Sequence, residues 1–187
     1  MNTYALLLRG INVGGKNKVP MSVLKECLTE LGFSHVITYI ASGNAIVQSD
    51  KTPNEIQKII EVALPQAFML DSELIKVLVL TRQQLQSVVD KKPDNFGDQP
   101  DKYHSDVIFL IGISSGEVMS IFNPRGGVDV IWQGDGVIYS QRLSSLRAKS
   151  RLNTVLKSPI YKSMTIRNWN TTVKLLDLAN KVAGKKT

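Results

Sequence analysis

Residues 6–20, LLLRGINVGGKNKVP, carry G-x-x-x-x-G-K from Gly10 through Gly15 to Lys16 behind an apolar run. That spacing is most of the loop with which nucleoside triphosphatases cradle phosphate, glycine letting backbone N–H groups approach and lysine adding charge. The rest of that chemistry is missing. A Ser or Thr should follow the lysine to ligate Mg²⁺, and the helix should start at once so that its first N–H groups face the anion. Here Asn17, Lys18 and Val19 intervene, and Pro20 removes an N–H from the helix start. Two readings stay open. The stretch is a plain β-to-α connection, with Gly10, Gly14 and Gly15 supplying positive φ angles and the lysines solvated. Otherwise it is an anion-binding nest of backbone N–H groups charged by Lys16, Lys18 and Arg9.

The second set of candidate residues is basic. Residues 142–187 hold 11 Lys and Arg against one acid, Asp177, a net of +10, while residues 1–141 hold 12 against 15, a net of −3. So little scope for local pairing leaves a positive field whose natural partner is phosphate. Arg147 and Arg151 lie four apart on a predicted helix, sharing a face, with Lys149 offset and Lys157 and Lys162 beyond its end. The RNWN run adds Arg167 and Trp169, an aromatic that could stack on a base beside a guanidinium. The competing expectation is that Asn168 caps the terminal helix and Trp169 packs there with Val173 and Leu176. In NPRGGVDV, Arg125 and Asp129 flank two glycines, offering an anion holder and the nearest acid-base group in sequence; a turn with a solvated arginine explains them equally.

Other chemistry is excluded. The single cysteine, Cys27, sits among Leu24, Leu28 and Leu31 in a helical pattern and reads as a structural thiol. His35 and His104 are the only histidines, a poor metal set, so neither metal nor cofactor is expected. No paired carboxylates or Ser-His arrangement stand out. The start of the chain lacks a secretory pattern and no run approaches a membrane span, so a cytoplasmic protein without membrane association is expected. At 43% hydrophobic and 21% charged, the 187-residue chain is ordinary for a folded one.

Certain elements must position these residues. Residues 3–9 read as a strand, and Met21, Leu24, Leu28 and Leu31 make a helical stripe that starts after Pro20 and stops at Gly32. HVITYIASGNAIVQS reads as a hairpin turning near Ser42-Gly43-Asn44. Thr52 and Glu55 form a capping box, opening a helix, and ELIKVLVL closes the unit as a strand. After a short helix capped by Thr81 and Gln84, the pattern recurs: strand DVIFLIG, helix SGEVMSIF, a hairpin turning at Gly134-Asp135-Gly136, helix SSLRAKSRLNTVLK, strand MTI and a terminal helix. The expected class is α+β, two tandem ferredoxin-like (β-α-β-β-α-β) halves with a C-terminal helix: residues 1–90, a linker at 91–105, and 106–187. In such a sheet, strands one and two run parallel. The glycine loop and the hairpin turn should therefore meet at one edge, gathering Asn12, Asn17, Ser42 and Asn44 around the basic residues.

The segments LLRGINVGGKNKVPM, TYIASGNAIV and MTIRNWNTTVKL resemble the bacterial family catalogued as domain of unknown function 1697 (DUF1697). The resemblance implies two ferredoxin-like halves and no established activity. The leading functional reading is binding of an anionic ligand, foremost nucleic acid, through the basic tail by backbone charge with little sequence readout. An RNA-recognition sheet is disfavoured, because NAIVQS lacks the central-strand aromatics. The alternatives are an enzyme acting on a small phosphorylated or carboxylated metabolite held by Lys16 and Arg125, and a protein interaction module.

Overall fold

The computed structural model describes residues 1–71 and 73–184. The fold is mixed α+β, with two four-stranded sheets whose paired strands are all antiparallel. The chain forms two compact units, one from Met1–Gln86 with the chain from Lys174 onward, the other from Ser87–Val173.

The first unit contains β1 (Asn2–Arg9), α1 (Met21–Glu30), β2 (Ser34–Tyr39), β3 (Asn44–Ser49), α2 (Pro53–Phe68) and β4 (Lys76–Thr81), with strand order β2-β3-β1-β4. Alternate residues of the strands, Tyr4, Leu6 and Leu8 on β1 with Ala45, Val47, Val77 and Val79, meet Leu24 and Leu28 of α1 and Ile56, Ile60 and Leu64 of α2 in one core. Burying each such Leu or Ile contributes about 2 kcal/mol. The Thr52–Glu55 capping box forms as expected, Glu55 N–H donating to Thr52 Oγ1 and Thr52 N–H to Glu55 Oε2. Thr81 and Gln84 make the same reciprocal pair at the start of α3 (Arg82–Asp90).

The second unit carries β5 (Tyr103–Leu110), α4 (Ser115–Met119), β6 (Asp129–Gln133), β7 (Val137–Leu143) and β8 (Met164–Asn168), ordered β6-β7-β5-β8. Its core gathers Ile108, Val118, Ile138, Leu152, Val155 and Met164. Phe96 is fully buried and takes Trp132, Tyr139 and Trp169 edge-on, with ring centroids 5.9, 5.1 and 5.2 Å away. α5 (Trp169–Ala183) follows β8, and its residues through Val173 belong to the second unit.

One expected element is absent. Residues 144–157 form no α-helix; three 3-10 segments, Ser144–Lys149, Leu152–Lys157 and Pro159–Ser163, span the connection from β7 to β8. An α-helix would direct the N–H of Arg151 to the carbonyl of Arg147. Instead that N–H donates to the Asp129 carboxylate at 2.8 Å, Ser150 N–H takes the Arg147 carbonyl at 3.2 Å, and Ser150 Oγ captures the N–H of Leu152. Serine and threonine side chains compete with the helix for its own backbone groups, and here a buried carboxylate joins them. Arg147 and Arg151 therefore do not share a helix face.

Candidate functional site

The glycine loop is a miniature hairpin. Lys16 N–H donates to Val13 O at 3.0 Å and Asn12 N–H to Asn17 O at 2.9 Å. Gly14 and Gly15 take the two corners with φ of 59° and 77°, the mirror-image turn open to glycine at both positions. The loop meets the β2–β3 turn, as strand direction requires: Leu8 N–H donates to Gly43 O at 2.8 Å, and Asn12 Nδ2 to Ala41 O at 2.8 Å.

Three of the amides gathered there bracket the backbone. Asn12 holds both the N–H and the carbonyl of Val19, at 2.8 and 3.0 Å. Asn17 Nδ2 donates to Gly10 O, and its Oδ1 accepts from the N–H of Asp71. Asn44 is fully buried and donates to Tyr39 O and Ser42 Oγ. Gly14, Gly15, Lys16, Lys18 and Ser42 stay exposed, and Arg9 is half-buried. α1 starts after Pro20 with no side-chain cap, and Asn17, Lys18 and Val19 separate it from Lys16, so the helix does not begin directly after that lysine as a phosphate loop requires.

The basic segment has a different character. Between Asp135 and Asp177 the chain carries no acid and eight Lys or Arg. Arg142 is buried, 3.5 Å from Asp106 and bonded to Asn153 Oδ1 at 3.0 Å, and Lys174 is paired with Asp177 at 3.0 Å. Arg167 is 6% exposed; burial lowers its pKa to about 10 against the Tyr161 phenol, and it donates to Thr165 Oγ1 and Ile166 O. Trp169 is 8% exposed and packs on Phe96. Arg167 and Trp169 are thus built into the unit's interior rather than presented as an exposed guanidinium and stacking ring. Trp169 is internal as the packing expectation has it, but Val173 is exposed and Phe96 is the ring it meets. Asn168 caps α5, its Oδ1 accepting from Asn170 N–H at 3.0 Å.

Five cations remain exposed on the 3-10 segments and their junctions: Arg147, Lys149, Arg151, Lys157 and Lys162. Among the described residues none of the five forms an ion pair. Lys185 and Lys186, which contribute to the tail's net charge, lie outside the described residues.

Arg125 joins these five, a grouping that sequence order conceals. Asp129, 6% exposed at the start of β6, accepts through Oδ2 the N–H groups of both Arg125 (3.0 Å) and Arg151 (2.8 Å). The Arg125 guanidinium reaches the Lys149 carbonyl at 3.5 Å. Burial pushes the Asp129 pKa up, but the backbone N–H groups of Arg125 and Arg151, the Ser150 hydroxyl and the Arg142 charge outweigh it and hold the carboxyl below its ordinary value. A buried carboxylate held below its ordinary pKa by backbone donors is a weak general base near neutrality. The signal in sequence was an aspartate four residues after Arg125, closing a Gly-Gly turn; its second partner, 22 residues later, left none.

Cys27 is half-buried, and burial followed by the Glu30 charge raises its thiol pKa, as befits an unreactive thiol. Among the described residues no three His, Cys, Asp or Glu side chains cluster as metal ligands, and no helix is long and apolar enough to cross a membrane. A cavity of about 280 Å³ lies at the sheet edge opposite the glycine loop, lined by Met1, Asn2, Thr3, Gln48, Thr81 and Arg82, none of them a sequence candidate.

Residues 1–139 match the family described as "Protein of unknown function (DUF1697)". No curated protein matches the chain. Among solved structures it is similar to the conserved bacterial protein SP0830 from Streptococcus pneumoniae, with 27% identity and a TM-score of 0.80, over 95% of this chain and 98% of that one. The family match includes Arg125 and Asp129 and ends before the basic segment.

Proposed function

The chain belongs to the DUF1697 family, whose description assigns no activity, and from its own residues we propose that it binds nucleic acid through the exposed cations of residues 144–163 together with Arg125. One observation carries this reading: five exposed, unpaired cations in a stretch that holds no acid. A cationic surface of this kind attracts phosphate by charge and releases condensed counterions on binding. With Trp169 buried, binding is to the sugar-phosphate backbone, so readout of sequence is slight. In this reading the protein is a cytoplasmic bacterial one, and its two units are tandem ferredoxin-like domains. The strand orders support that description, and the 3-10 connection of the second unit departs from it.

The metabolite-enzyme alternative is less favoured, because Asp129 is buried and its Oδ2 accepts two backbone N–H groups.

Fluorescence anisotropy with a labelled duplex of about 20 base pairs, across a salt series, tests the proposal. Affinity should fall steeply with salt, by about 0.9 in log–log slope for each phosphate neutralised. Replacing Arg147 and Arg151 together by Ala should weaken all duplex sequences equally and flatten the slope by roughly one unit for each phosphate no longer neutralised. Absence of binding even at low salt refutes the reading.

A further inference from the structure

We propose that Arg125, Lys149 and Arg151 form a composite site for a single phosphodiester group, assembled by the buried carboxylate of Asp129. The inference rests on the nucleic-acid reading and deepens it. Arg125 lies in the turn before β6 and Arg151 lies between two 3-10 segments, 26 residues on in the chain. One oxygen, Asp129 Oδ2, accepts both of their backbone N–H groups, so the two nitrogens stand no further apart than those two bonds together. The same aspartate's N–H donates back to the Arg125 carbonyl at 2.8 Å, closing the turn, and the Arg125 side chain touches the carbonyl of Lys149.

Two exposed arginines from two segments are thus pinned through their backbones to one buried anion, and Lys149 lies beside them, its carbonyl held by the Arg125 guanidinium. That anion is aimed at backbone N–H groups and offers no salt bridge to the side chains outside. Gathering like charges at a surface without an acidic partner costs self-repulsion, and an incoming phosphate relieves it. Asp129 is therefore a positioning residue. It touches no ligand and acts through the two backbones, and its second oxygen, Oδ1, is buried with no donor.

The geometry makes a prediction opposite in sign to simple electrostatics. Removing a negative charge beside a phosphate site should tighten binding if only charge matters. Asp129→Ala deletes the shared acceptor, and the duplex should bind about threefold to tenfold more weakly despite the gain of one positive charge. Asp129→Asn keeps an accepting oxygen while losing the charge, so it should bind at least as tightly as the wild type. Circular dichroism establishes which variants are folded.

Should the Ala variant not fold, Arg125→Ala decides. It should weaken binding, and together with Arg151→Ala it should lower the salt slope by at most about 0.9, because both arginines serve one phosphate. A folded Asp129→Ala protein that binds as tightly as the wild type overturns the composite site. So does an affinity unchanged in Arg125→Ala, or a slope that drops two full steps in the double variant. In each of those cases the wild type still binds and the broader reading stands; a wild type that binds no duplex removes both.

Discussion

Asn12 separates a structural bracket from a ligand group, and its contribution can be worked from its bonds. Its side chain donates to Val19 O at 3.0 Å and to Ala41 O at 2.8 Å and accepts from Val19 N–H at 2.8 Å, while its backbone sits at φ 54°. Asn12→Ala removes all three bonds. The bond to Ala41 is exposed, so water replaces it at little cost; the two to Val19 are partly buried and contribute about 1 kcal/mol each. Holding alanine in the left-handed region adds about 1 kcal/mol, for a total of about 3 kcal/mol. Asn12→Gly loses the same bonds without that strain, about 2 kcal/mol. The expected stability order is wild type, then Gly, then Ala. Urea unfolding followed by far-ultraviolet circular dichroism measures it. Trp132 and Trp169, the only tryptophans, both belong to the second unit, so their fluorescence would report on the wrong one. An Ala variant within about 0.5 kcal/mol of the wild type would refute the bracket and return Asn12 to the ligand-binding candidates, and one more stable than the Gly variant would refute the backbone strain.

Two further perturbations address the second unit. Gly97 has φ 76°, and a β-carbon there would stand 2.3 Å from Trp169 Cδ1, so Gly97→Ala should destabilise the unit by about 2 kcal/mol or more and shift tryptophan emission to the red; a wild-type unfolding midpoint contradicts this. The buried Tyr139 hydroxyl donates to Val88 O at 2.7 Å, and burial pushes its pKa up to about 12. The folded state therefore holds that proton more tightly. Its contribution to stability is whole below the unfolded pKa of about 10 and is lost as pH rises from there toward the folded value. Phenolate absorbance should show a late step that Tyr139→Phe abolishes, and a folded wild type without that step rules the shift out.

Much of the molecule is legible in the order of residues because it depends on short-range rules. The Thr52–Glu55 and Thr81–Gln84 boxes need partners only three residues apart, and the α1 stripe of Leu24 and Leu28 needs only helical spacing. The meeting of the glycine loop with the Ser42–Asn44 turn follows from strand direction, a parity that local chain reversals settle. The sequence likewise placed the cations, since net charge does not depend on folding.

What tertiary structure alone decided is where competing long-range partners captured those residues. The run 144–157 has helical spacing, yet the Arg151 N–H finds Asp129, a stronger acceptor 22 residues upstream, and the helix gives way to 3-10 turns. Arg167 could face solvent and Trp169 could stack or pack on the sequence alone, and their strand and helix end turn both inward, against Thr165 and Phe96. Arg125 and Arg151, distant in the chain, become neighbours because one carboxylate oxygen accepts both backbones. Periodicity encodes a residue's neighbours three or four positions away; which distant acceptor wins a backbone N–H is settled only when the sheets have brought the candidates together.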